Sequence, residues 1–305
     1  MKRLVVAVLA TALAAAVLAA WSVAAPSRSE TPGASAKAAK LPPLPSAVKN
    51  RKRWVIGVKC DFPPFGYIDV QGHNRGYDVE VAQRFAELAF GKRNRVAFFC
   101  VTTPSRIPAL QSSRVDIIIS TLTWTKARAD VIDYSSPYYG ATGRLLVLED
   151  SNVNSLADLN GKTVVTTRGA IYATWMRTCL KGANVLEVDG TAPAVLAVKE
   201  GRAAAFMFDD AFVLGVATSN PDMKLTKDKF LNVPWGIGIR KGDATTLRWV
   251  NAALGLMKKR DEFYKILQHN APKSAIPTFA SQVPRPNNTL KYPVDKDPAT
   301  DCSTS

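Results

Sequence analysis

The stretch ISTLTWTKARAD, residues 119–130, sets three hydroxyl side chains, Ser120, Thr121 and Thr123, directly after an apolar run, with Arg128 five residues beyond Thr123. Hydroxyls offer short-range donors and acceptors. A planar guanidinium matches a carboxylate through two parallel N–H donors, and such charge-assisted bonds are the strong ones. The row is therefore suited to gripping a charged group, with a solvated loop as the competing reading. Bond-breaking chemistry finds less material. The NGKT of 160–163 lacks the earlier glycine of a phosphate-binding loop, because Leu156 stands in its place. No G-x-S-x-G elbow occurs, and only His73 and His269 could serve a Ser/His/Asp triad. The adjacent Asp209 and Asp210 could act as paired carboxylates or simply end a strand in solvent.

A strand must position the hydroxyl row. DIIIS (116–120) follows two earlier strand-like runs, RWVIGVKC (53–60) and RVAFFCV (95–101). Between those runs, YDVEVAQRFAELAFG carries apolar residues at helical spacing, with Asp78 expected as N-cap and Gly91 as stop. RIPALQSSRV (106–115) predicts a short helix. The alternation then recurs through GRLLVLED (143–150), GAIYATWMRTCL (169–180), NVLEVD (184–189) and APAVLAVKEGRAAAFMFDD (192–210). WGIGIRKGD (235–243) predicts a strand, followed by a long helical run in which Asp243 is the expected cap. Strand and helix alternating at this spacing predict an α/β fold of two tandem units, each a parallel-type sheet covered by helices. Ligands of open α/β sheets sit beyond the carboxyl ends of the strands, so the hydroxyls and Arg128 should face a cleft.

At 305 residues, with 47% hydrophobic content and 9% aromatics, the chain can build two real cores. A net charge of +15 could serve nucleic acid or an anionic surface. No basic arm interleaved with aromatics and no zinc-finger, RRM or basic-zipper spacing appears, which argues against nucleic acid. Residues 1–25 carry a Lys2-Arg3 head, an apolar stretch from Leu4 to Ala20 and small residues ending at Ala24 or Ala25, the pattern of a secretory signal peptide. A retained membrane anchor is the alternative. Residues 26–50, rich in Pro, Ala, Ser and Lys, predict a linker, and 281–305 a tail. Four cysteines, Cys60, Cys100, Cys179 and Cys302, would then reach a compartment that permits disulfides, with a pairing that sequence alone does not give. They stand too far apart for a metal site, and neither a metal nor a cofactor is expected.

Five stretches, PPFGY, GYDVEVAQRFAEL, RIPALQSSRVDIIISTLTWTKAR, YSSPYY and GRAAAFMFDDAFVLG, occur in an order that resembles the periplasmic solute-binding proteins of ABC-type amino-acid importers, over about residues 50–280. The resemblance implies a two-lobed periplasmic binding protein type II fold. Lobe one would hold 51–142 and 238–280, lobe two 143–237, with GRLLVLED and WGIGIRKG as the two hinge strands. It also implies a monomer that takes an amino acid in the periplasm and passes it to an inner-membrane ABC permease.

By motif position Arg128 would clamp the ligand α-carboxylate with help from Thr123. Ser120 and Thr121 would offer a carbonyl and a hydroxyl to the α-ammonium, and Asp209 would take that ammonium from the opposite lobe. Phe62 would form an apolar wall. Gly169 and Ala170 hold the position of a family Gly-Thr pair, which keeps the backbone amides and loses a hydroxyl. Cys60 and Cys100 end strands expected to be neighbours and could pair, which leaves Cys179 to join Cys302. Three further cations, Lys59, Arg106 and Arg168, stand where the family meets a ligand side chain, so an acidic amino acid, glutamate or aspartate, is expected. The alternatives are an exported dehydratase of the cyclohexadienyl/prephenate type and a ligand-sensing module for a receptor.

Overall fold

The computed structural model describes residues 41–303. The signal-peptide expectation for 1–25 and most of the linker expectation lie outside the described residues. The end of the linker is ordered into α1 (Ser46–Arg51), whose Val48 is buried in the core.

Lobe one begins with β1 (Trp54–Val58), the short strands β2 (Asp61–Phe62), β3 (Gly66–Ile68) and β4 (Asn74–Arg75), and α2 (Tyr77–Phe90). It continues through β5 (Val96–Cys100), α3 (Arg106–Gln111), β6 (Ile117–Ile118), α4 (Lys126–Val131) and β7 (Ile132–Tyr134). Lobe two holds β8 (Tyr139–Leu148), β9 (Thr163–Thr167), α5 (Ile171–Cys179), β10 (Asn184–Val188) and α6 (Thr191–Lys199). It closes with β11 (Ala205–Asp209), α7 (Asp210–Ser219), β12 (Met223–Leu225) and β13 (Phe230–Trp235). The chain returns to lobe one with β14 (Gly238–Arg240), α8 (Ala244–Lys259), α9 (Glu262–Asn270) and α10 (Ile276–Phe279).

The lobe-one sheet has the order β5-β1-β6-β14-β7, and the lobe-two sheet β10-β9-β11-β8-β12 with β13 on β8. β1 runs parallel to both neighbours, and β9 to both of its own. The sheets are mixed rather than purely parallel, because the strands nearest the crossings, β7 with β14 and β8 with β13, are antiparallel pairs. β8 starts at Tyr139 and lies wholly in the second sheet, four residues earlier than the Gly143 boundary expected from the sequence. The chain therefore crosses between lobes at 135–138 and again at 236–237.

Helix ends follow local chemistry in most places. Gly91 closes α2 in the left-handed conformation, and the Asp243 side chain caps α8 by accepting from Thr246 N. Asp78 does not cap α2. The N-cap is Gly76, and the first amides of the helix, Tyr77 N and Asp78 N, bond to the Pro64 and Phe65 carbonyls at 3.0 and 2.8 Å. Disulfides join Cys60 to Cys100 and Cys179 to Cys302. The first joins the neighbouring strands β1 and β5 at their carboxyl ends, and the second ties α5 to the tail.

Candidate functional site

The carboxyl end of β6 delivers the hydroxyl row to the mouth between the lobes. Thr121 adopts a left-handed backbone (φ 50°), unusual for a β-branched residue. The conformation is held by Thr121 N, which donates to Asp78 Oδ2 at 3.1 Å and to Tyr138 Oη at 3.2 Å. Tyr138 Oη in turn donates to Asp78 Oδ1 at 3.0 Å. The turn so formed points the Ser120 and Thr121 carbonyls at Arg106, whose Nη1 donates to them at 2.7 and 3.1 Å. The carbonyl expected to meet an ammonium is thus engaged by Arg106. The Ser120 hydroxyl is buried without a protein partner, as is Arg106 Nε.

Arg128 lies in α4, where Thr125 caps the helix by accepting from Arg128 N. Its Nη1 donates to Thr123 O at 2.8 Å, and Nη2 reaches across to the Gly169 carbonyl of lobe two at 2.9 Å. Gly169 has φ 75°, and a Cβ there would approach Pro104 of lobe one to 3.4 Å. Opposite, Asp209 at the end of β11 accepts from Tyr172 Oη at 2.6 Å. Arg106, Thr121, Thr123, Arg128, Tyr172 and Asp209 bound a tight space of about 10 Å³, together with Thr103, Ala170, Ile171 and Phe208. Phe62 is fully buried and packs on Phe208 and Phe212, with ring centroids 5.7 and 5.0 Å away. The apolar wall expected of Phe62 is presented to this space by Phe208.

Beside it a cavity of about 420 Å³ opens between the lobes, lined by Lys59, Asp61, Thr102 and Thr103 from lobe one and by Thr167, Arg168 and Asp189 from lobe two. Lys59 is only 3% exposed, with Nζ 2.7 Å from Thr103 Oγ1 and 3.9 Å from Asp61. Arg168 is exposed and paired with Asp189 at 2.8 Å. Sequence reasoning did not single out Asp78, Thr103, Tyr172 or Phe208. Asp78 was visible only as a cap-type residue, and no local spacing marks the other three.

Burial dominates the electrostatics. It raises the Asp209 carboxyl to about 7, against the Tyr172 hydrogen bond and with help from the charge of Asp210, and it raises Asp78 to about 7. It lowers Lys59 to about 8 and Arg106 to about 9, the latter with a further contribution from the charge of Arg128. Buried cations on one wall and a buried carboxylate on the other are complementary in charge to a group that carries both.

Two α/β lobes linked by two crossings, with opposed buried charges between them, define the class of a two-lobed binding protein for a small solute. The chain belongs to the bacterial extracellular solute-binding proteins, family 3, whose signature matches residues 54–272. It is 33% identical over 238 residues to an ABC transporter glutamine-binding protein of Bacillus subtilis, covering 76% of this chain and 87% of the relative. It is 26% identical over 264 residues to an L-glutamate/L-aspartate-binding protein of Pseudomonas aeruginosa, covering 82% and 84%. Among solved structures, a cysteine-binding protein from Campylobacter jejuni superposes with a TM-score of 0.72 at 29% identity, covering 75% of this chain and 92% of that one. The three named relatives are amino-acid-binding proteins, the first of them of an ABC transporter, and the family is one of binding proteins, not enzymes.

Proposed function

We propose that the chain is exported through its N-terminal segment, works as a periplasmic monomer, and delivers an acidic L-amino acid, glutamate or aspartate, to an inner-membrane ABC permease. Arg128 takes the α-carboxylate, and Asp209 takes the α-ammonium from the facing lobe. The observation that carries the acidic reading is a pair of buried cations beside Arg128. Arg106 faces the tight space with its Nε unpaired, and Lys59 lines the adjoining cavity. A side-chain carboxylate leaving the head-group site toward Thr103 meets both. Arg168, exposed and already paired with Asp189, contributes at the cavity's outer rim.

The similarity to a glutamine-binding protein favours a second reading, in which an amide fills the same place. An amide brings no charge, so the nearest counter-charge of Lys59 would stay Asp61, at 3.9 Å. Calorimetric titration with glutamate, aspartate, glutamine, cystine, histidine and arginine separates the two. The acids are expected to bind tightest. Tight binding of glutamine, histidine or arginine with no binding of either acid overturns the acidic reading. Lys59→Met is expected to weaken glutamate at least tenfold more than glutamine, because only the acid loses a charged partner.

A further inference from the structure

The tail lies beyond the family match, which ends at residue 272, yet it touches both lobes and both crossings. Gln282 accepts from Tyr139 Oη at 2.8 Å, and its carbonyl accepts from Gly140 N at 2.7 Å. Tyr292 then donates to Ser135 O in the first crossing at 2.7 Å. Gly236, in the second crossing, makes room for it, since a Cβ there would stand 1.9 Å from Tyr292 Oη. The Tyr292 ring stacks on Trp124 with centroids 5.8 Å apart. Asp297 accepts from Lys126 N, the first residue of α4, at 3.1 Å. Four residues later the Asp301 carbonyl accepts from Trp175 Nε1 of α5 at 2.8 Å, and Cys302 is bonded to Cys179 at the end of that helix. The tail thus joins, from outside, the helix that carries Arg128 and the helix that starts just after Ala170.

We propose that Tyr292–Cys302 is a strap that positions the Arg128 helix and biases the two lobes toward the closed arrangement. Trp124 and Lys126 flank Thr125, the cap of α4, so the strap's contacts fix the helix start from which Arg128 projects. Opening would separate Asp297 from Lys126 on lobe one while Cys302 stays bonded to lobe two. Ten residues can span about 35 Å at most, so the disulfide permits opening and keeps the strap close enough to re-form its contacts as an intramolecular event. Losing those contacts lowers the population of the arrangement that grips ligand, and the apparent affinity falls by the same fraction.

The test compares the full chain with Asp297→Ala and with the Cys179→Ser/Cys302→Ser double variant. Solution scattering without ligand and stopped-flow release of L-glutamate and of L-glutamine are the readouts. Both variants are expected to be more extended without ligand and to release either ligand about five- to tenfold faster, with thermal midpoint changes that do not track the release rate. Wild-type dimensions and release rate in Asp297→Ala overturn the proposal, and that variant decides alone if the double variant does not fold. The scattering arm needs no bound ligand, so it stands apart from the identity of the amino acid. If neither probe binds the wild-type chain, equal dimensions in variant and wild type still overturn the strap.

Discussion

Arg128 gives Nη1 to the Thr123 carbonyl of its own lobe and Nη2 to the Gly169 carbonyl of the other. A carboxylate is a stronger acceptor than either carbonyl, so an entering α-carboxylate has a guanidinium already aimed at the interlobe space. Removing either charged partner leaves a buried ligand charge uncompensated, at about 3–5 kcal/mol in comparable pairs. Arg128→Ala and Asp209→Ala should therefore each lose at least a hundredfold in affinity by calorimetry while circular dichroism stays native. The pH profile follows from the same residues. Below about 7 Asp209 holds a proton that it must release to pair with an ammonium, so affinity falls as pH drops. Above about 8 Lys59 loses its charge, so affinity for an acid falls again as pH rises. Glutamate binding should be bell-shaped in pH, and the alkaline limb of glutamine binding should lie higher, where Arg106, at about 9, loses its charge. An alkaline limb that persists in Lys59→Met would assign it to another group.

At the level of elements, α2 shows how backbone contacts replace a side-chain cap. Gly76 has φ 117°, and a Cβ there would lie 2.3 Å from the Phe65 carbonyl and 2.8 Å from that of Pro64. Those carbonyls receive the first amides of the helix, so Gly76→Ala must displace them. The variant should lose about 2–3 kcal/mol in denaturant unfolding, from positive φ plus the collision, and should also bind more weakly as Asp78 moves from Thr121 N. Unchanged stability would mean that the turn yields freely. The sequence showed Asp78 at a cap-like position, and nothing local revealed that its carboxylate is buried beneath Thr121. That Arg128, Thr123 and Asp209 share one interlobe space was legible from the order of their motifs, since each follows the end of a strand-like run whose partner could be named. The start of β8 was not, because Tyr139–Thr142 continues the strand without a break in pattern. Of the tail's path only the Cys179–Cys302 bond was legible, since hydrogen bonds and one stacked tyrosine hold the rest, and neither leaves a periodic trace.

Across the whole molecule, the lobes meet through aromatic packing as well as through the Arg128 bond to Gly169. Phe62 of lobe one touches Phe208 and Phe212 of lobe two and Trp235 at the edge of the second crossing, with centroids 5.7, 5.0 and 6.0 Å apart. Thr191 Oγ1 adds a bond to the Asp61 carbonyl across the lobes at 2.8 Å. Phe62 packs on Phe208 and does not line the space around Arg128, so an effect of this ring on binding is expected to run through closure. Deleting a buried phenyl ring costs about 3–5 kcal/mol, and here part of that cost falls on the closed arrangement. Phe62→Ala should therefore weaken glutamate, aspartate and glutamine by one common factor, because closure is shared by every ligand. Phe208→Ala, which alters the wall itself, should change the ratios among them. The measurement is a set of dissociation constants for the three amino acids in each variant. Changed ratios in Phe62→Ala would place that ring against the ligand and remove the closure role.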